Sequence, residues 1–134
     1  MPGVEGRVTI VTGAGRGIGR ETALLLASRG ARVMAVARSE NELKSLGLDY
    51  VVADLGTLDG CTKTIESTHN RLGPVDILVC NHGIGSAHER VIWEQSTEVW
   101  KETMRINLDG PYFLSHLFRS ASTSVNATRR SSPC

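Results

Sequence analysis

Val8-Thr9-Ile10-Val11-Thr12-Gly13-Ala14-Gly15-Arg16-Gly17-Ile18-Gly19 is a β-branched run that breaks into a glycine-dense turn, after which the apolar spacing turns helical. Glycine lets a backbone bend sharply and approach a ligand with no Cβ in between. The helix that follows presents unpaired N–H groups and the positive end of its dipole. Strand, glycine turn and helix in that order predict a pyrophosphate cradle, and so dinucleotide binding. The alternative is a glycine turn that only packs helix against sheet.

Working outward, short β-branched runs alternate with helical stretches, the pattern of βαβ units in a parallel α/β sheet. Arg7 to Thr12 is the first strand. The first helix starts near Gly17, places Ile18, Thr22, Leu25 and Leu26 on one face and stops at Arg29-Gly30. Ala31 to Ala37 is continuously apolar, as a strand covered on both faces must be, and ends at Arg38. Ser39 with Glu42 reads as a capping box for a short helix through Leu46. Asp49 to Ala53 is a third strand. Thr57 to Leu72 carries Leu58, Cys61, Ile65 and Leu72 at helical spacing, and Gly73-Pro74 ends it before a fourth strand, Val75 to Cys80. A helix from Thr97 puts Trp100, Thr103, Met104 and Asn107 on one side. Gly110-Pro111 should kink or restart it before Tyr112 to Phe118. Trp93, Trp100, Met104 and Phe113 read as core side chains rather than a ligand pocket.

A chain of 134 residues fits one domain, and its 15 basic and 14 acidic residues set up no large field of one sign. Neither nucleic acid nor an anionic membrane is an expected partner. No apolar run is long enough to span a bilayer and Met1 to Gly6 is not a secretory leader, so a cytoplasmic protein is expected. Cys61, Cys80 and Cys134 lack disulfide or zinc spacing, and His82 and His88 beside Cys80 complete no metal shell.

The segment Thr12-Gly13-Ala14-Gly15-Arg16-Gly17-Ile18-Gly19 resembles the Thr-Gly-x-x-x-Gly-x-Gly motif of the short-chain dehydrogenase/reductase superfamily. Downstream, Asp54 resembles that family's adenine-contacting aspartate, and Cys80-Asn81-His82-Gly83 stands where Asn-Asn-Ala-Gly is usual. Asn107 in Ile106-Asn107-Leu108-Asp109-Gly110 matches the asparagine of the catalytic tetrad. The match covers residues 5 to 118. It implies the N-terminal half of a Rossmann-type, doubly wound parallel sheet, with strand order 3-2-1-4, out of a seven-stranded whole. It also implies an oxidoreductase that passes hydride between a nicotinamide cofactor and an alcohol or carbonyl, with Gly13, Gly15, Arg16, Gly17, Ile18, Gly19, Arg38, Ser39, Asp54, Leu55, Asn81 and Gly83 at the cofactor.

The resemblance also exposes what is missing. The family's catalytic serine and Tyr-x-x-x-Lys are not here: Tyr50 and Tyr112 are the two tyrosines, and Asp54 and His116 stand four residues on. Asn107 is therefore the single tetrad position present, and the chain by itself is expected to be catalytically incomplete, a product truncated before its tyrosine. An acidic residue at the end of strand two would bind a ribose 2′-hydroxyl, whereas Arg38 and Ser39 stand there. With Arg16 they favour a 2′-phosphate, and so NADP(H). The alternative for both arginines is a solvated loop cation.

Residues 1–118 are thus read as a partial dinucleotide-binding domain. Residues 119–134, polar and without an acidic group, are read as a disordered tail. Strand four would form an apolar sheet edge, and the helix at Tyr112 would lack partners. Two alternatives follow: a regulatory or dominant-negative protein that pairs, as homo- or hetero-oligomer, with a full-length reductase, or an unstable truncated product.

Overall fold

The computed structural model describes residues 3–85 and 91–130, with side chains to residue 121. Four parallel strands, β1 (Val8–Thr12), β2 (Arg32–Ala37), β3 (Asp49–Val52) and β4 (Ile77–Val79), lie in the order β3-β2-β1-β4. Register pairs Val8 with Arg32, Met34 with Asp49 and Thr9 with Ile77. The helices are α1 (Gly17–Ser28), α2 (Glu40–Lys44), α3 (Leu58–Leu72), α4 (Thr97–Met104) and α5 (Gly110–Arg130). This is the α/β, Rossmann-type order expected of the sequence.

Period-two alternation along the strands builds two cores. Val8, Ile10, Met34 and Val36 face one way and pack with Cys61 and Ile65 of α3 and Leu114 of α5. Val11, Val33 and Ala35 face the other way and pack with Ala23 of α1 and with Leu43 and Leu46. Leu114 is fully buried, so cutting it to alanine should cost about 2–5 kcal/mol.

Several expectations are corrected. Helix α1 buries Gly19 and Ala23, while Ile18 is 78% and Leu25 53% exposed. Small residues let the helix lie close to the sheet, and that close seat turns the larger Ile18 and Leu25 outward. In α3 the sheet-facing side is Gly60, Cys61, Thr64, Ile65 and Thr68, and Leu58 is exposed. The buried Thr64 and Thr68 hydroxyls are satisfied within the helix, donating to the carbonyls of Gly60 and Thr64 at 2.8 and 2.7 Å. Thr57 caps α3, accepting from the Gly60 amide at 3.0 Å.

Ser39 does precede α2, but its side chain makes no capping bond, so the capping box does not form. Trp93 and Trp100 are 80% and 57% exposed rather than core, because neither the short 3-10 turn Ile92–Glu94 nor α4 buries a residue. Met104 is half-buried, and Phe113 packs against the first core as expected. Between α4 and α5 the chain widens into a π-helical turn, Arg105–Asp109, just before Pro111. Proline has no N–H to continue the regular ladder, and a wider turn accommodates the loss without breaking the rod. Helix α5 then runs past Phe118 to Arg130, so residues 119–130 are helical where disorder was expected. No glycine or proline interrupts that stretch. Ser131 to Cys134 and His88 lie outside the described residues. Among the described residues, no helix is long and apolar enough to cross a membrane.

Candidate functional site

The carboxyl ends of β1, β2, β3 and β4 open into a cleft of about 360 Å³, the place where doubly wound sheets hold their ligands. Gly13, Gly15, Arg16, Arg38, Ser39, Asp54, Leu55, Asn81 and Gly83 all line it. The structure thus brings together residues up to 70 positions apart in sequence (Gly13 and Gly83). Gly17, Ile18 and Gly19 are not on its wall. Gly17 and Ile18 border a shallow apolar hollow on α1 with Thr22 and Leu25.

Gly19 has a packing task. A Cβ there would strike the Gly13 carbonyl and the Asn81 amide, so its absence lets α1 start against the end of β1. Gly13 has a φ of 64°, and a Cβ on it would come within 2.9 Å of the His82 Cα. The result at Gly13 is a bend that presents backbone rather than a Cβ to the cleft, which fits a diphosphate.

Polar side chains hold the cradle's shape. Asn81 Nδ2 donates to the carbonyls of Thr12 and Gly13 at 3.2 and 3.3 Å. Its backbone amide donates to Thr12 Oγ1 at 2.9 Å, as does that of His82 at 3.2 Å. Thr12 is buried and ties the end of β1 to the segment after β4. Asn107 Oδ1 accepts from the Ile84 amide at 2.7 Å and its Nδ2 donates to the Ile84 carbonyl at 2.8 Å, so the residue staples the cleft's far wall to the π-helical turn.

At the other end Asp54 Oδ1 accepts from the Gly56 amide at 2.9 Å, and Oδ2 meets Arg105 Nη1 at 2.9 Å. Burial pushes the Asp54 carboxyl up, but the Gly56 amide and the Arg105 guanidinium outweigh it and hold the group below its ordinary value. Arg38 adds a weaker pull in the same direction. Burial lowers the His82 pKa against an opposing interaction with the Ile106 backbone, keeping the ring neutral. Burial likewise pushes the Cys61 thiol up to about 11.

The sequence reading missed other residues on the wall, among them Glu42, Gly56, His82, Ile84 and Ile106. Glu42 carries a signal, its position three beyond Ser39, but that spacing points to a capping role. Arg105, which buttresses Asp54 from outside the wall, carries none.

A four-stranded 3-2-1-4 parallel sheet with a glycine cradle at its carboxyl edge defines the nucleotide-binding half of a Rossmann-type domain. The chain belongs to the short-chain dehydrogenase family, whose model matches residues 7–125. It is 36% identical over 118 residues to the 3-oxoacyl-acyl-carrier-protein reductase FabG of Escherichia coli, covering 83% of this chain and 47% of that protein. A solved short-chain dehydrogenase/reductase of unknown function from Caenorhabditis elegans, determined with cofactor, superposes with a TM-score of 0.82 at 30% identity, over 90% of this chain and 49% of that one. A blue fluorescent protein from a metagenomic library, in complex with NADPH, gives 0.81 at 28% identity, over 89% of this chain and 52% of that one. The chain therefore spans about half the length of the relatives it matches.

Proposed function

We propose that this chain is the NADP(H)-binding half of an oxidoreductase, built to pass hydride between a nicotinamide and a substrate carbonyl or alcohol. The carrying observation is that one cleft collects the glycine cradle, the Arg38–Ser39 rim and Asp54. The bound cofactor would supply the hydride chemistry. Gly13 and Gly15 would admit its diphosphate, Arg16, Arg38 and Ser39 its 2′-phosphate, and Asp54 with Leu55 its adenine. Asn81 and Gly83 would border the ring end. The metagenomic relative's NADPH complex supports the choice of nucleotide.

Asn107 occupies the family's tetrad position, yet both ends of its amide already hold Ile84, so its first task here is positioning. The tyrosine and lysine that would exchange the substrate proton are not among these 134 residues, so binding rather than turnover is proposed of this chain. A cytoplasmic setting is part of the reading, supported by the free thiols of Cys61 and Cys80.

Calorimetric titration of the purified chain with NADPH and NADH tests this. Saturable NADPH binding is expected, and Arg38→Asp should weaken it by about ten- to a hundredfold while weakening NADH less. Absence of saturation, or equal losses for both nucleotides, overturns it.

A second reading is favoured by one observation: Trp93, Trp100, Leu108 and Tyr112 are all more than half exposed, and β4 is an open sheet edge. In this reading the chain pairs with a full-length reductase of its own family. Co-purification of the two chains, lost when the exposed Trp100 and Tyr112 are made polar, is the expected result. Indifference to those changes excludes this surface.

A further inference from the structure

The geometry points to Glu42 as a second specificity-determining residue at the adenosine end of the cleft, a carboxylate that favours a ribose 2′-hydroxyl and opposes a 2′-phosphate. This rests on the dinucleotide reading and deepens it, because it sets Glu42 against Arg38 within one rim.

The side chain does not go where its sequence position sends it. Ser39 makes no capping bond, and the Glu42 side chain turns instead across Gly15. A Cβ on Gly15 would collide with Glu42 Oε2 and stand 3.2 Å from Glu42 Cβ and 3.4 Å from Ala37 Cβ. Gly15 thus leaves open the space that this carboxylate occupies. The carboxylate lines the cleft between the glycine loop and the end of β2, where an open α/β sheet holds the adenosine ribose.

Its location is fixed by the backbone beneath it. Arg20 Nη1, reaching over from α1, donates to the Glu42 carbonyl at 3.4 Å and to Ser45 Oγ at 2.9 Å. Ser45 Oγ donates to the same carbonyl at 2.7 Å. These bonds pin α2 to α1 and anchor the backbone of the residue that carries the carboxylate.

A carboxylate in that space is an acceptor for a sugar hydroxyl and a like charge to a phosphate dianion. Arg16 and Arg38 pull the phosphate in while Glu42 subtracts from that pull. The chain should then discriminate between the two nucleotides less sharply than its two arginines alone would make it.

Dissociation constants for NADPH and NADH, with 2′,5′-ADP and AMP as fragments that isolate the 2′ group, test the assignment on the native chain, Glu42→Gln and Glu42→Ala. Both variants should tighten NADPH and 2′,5′-ADP about three- to tenfold and leave NADH and AMP unchanged or weaker. Thermal melts will verify that the variants fold. If the NADPH-to-NADH ratio stays at its native value in a folded Glu42→Gln chain, the inference falls and the cofactor reading survives. If the native chain saturates with none of the four ligands, both fall together.

Discussion

Thr12 Oγ1 lies 2.8 Å from His82 Nδ1, joining a hydroxyl at the end of β1 to an imidazole just beyond β4. Two backbone amides, those of Asn81 and His82, already occupy the oxygen's lone pairs. The hydroxyl proton can then go to the Val79 carbonyl at 3.2 Å or to Nδ1 at the shorter distance. The shorter contact favours Nδ1 as acceptor and the ring's own proton on Nε2, a buried atom with no hydrogen-bond partner among the described residues.

Thr12→Val should therefore be costly. The shape is kept, but two part-buried amides and a ring nitrogen lose their partner, and the expected destabilisation is about 1–3 kcal/mol. Thr9, on the same strand, is equally buried, and its hydroxyl has no partner among the described residues. Thr9→Val should be neutral or stabilising by up to about 1 kcal/mol. Urea denaturation of the pair of variants checks this, and equal effects at the two positions would refute the hydrogen-bond accounting.

His82 makes stability fall with acid. Its folded pKa is lowered below 6.5, so the unfolded chain binds a proton that the fold does not accept. The contribution is complete above 6.5 and is lost as pH drops from there toward the folded value. A proton on Nδ1 would also face an oxygen whose lone pairs are filled. Denaturation midpoints measured over this range should decline on acidification in the native chain, and His82→Ala should flatten the decline whatever it does to absolute stability. An unchanged slope would assign the decline to other groups.

The glycines of the cradle should fail for different reasons. Gly19→Ala drives a Cβ into the Gly13 carbonyl and the Asn81 amide, so it should unseat α1 and cost about 1–3 kcal/mol together with nucleotide binding. Gly17 has open space around it but a φ of 60°, so Gly17→Ala should cost about 1 kcal/mol through backbone strain alone. Thermal melts with NADPH titrations separate the two, and loss of binding in the Gly17 variant alone would invert the assignment.

Element order was legible in the sequence because it rests on local signals: β-branched runs at β1 and β2, Gly30 and Gly73 as stops, Thr57 as a cap. Burial faces were less so. Periodicity grouped Ile18 with Leu25 and marked Trp93 and Trp100 as apolar, but it does not say what covers an apolar face, and these side chains are exposed. The cleft's wall was readable wherever a motif residue faces it. Glu42 and His82 were passed over because their side-chain directions are decided by Gly15 and Thr12, partners 27 and 70 residues away in sequence.

Arg105 is the clearest case of a contact only folding reveals. Its Nη1 meets Asp54 Oδ2 at 2.9 Å across 51 residues, while Nη2 and Nε hold the two carboxylate oxygens of Glu102 at 2.7 and 2.9 Å. Because the side chains of Arg105 and Asp54 are 30% and 43% exposed, solvent screening limits the pair to about 1 kcal/mol at most. The sharper readout is the Asp54 carboxyl. With a folded pKa below 3.8, Asp54 stabilises the chain above that value and loses its contribution as pH falls through the folded one. Arg105→Met keeps the bulk over Gly56 but removes the charge, leaving burial opposed only by the Gly56 amide and the weaker field of Arg38. The Asp54 pKa should then rise toward or past 3.8, as carboxyl-carbon NMR titration would show, and low-pH stability should shrink with it. A titration curve identical to the native one would show that the guanidinium does not hold this carboxylate.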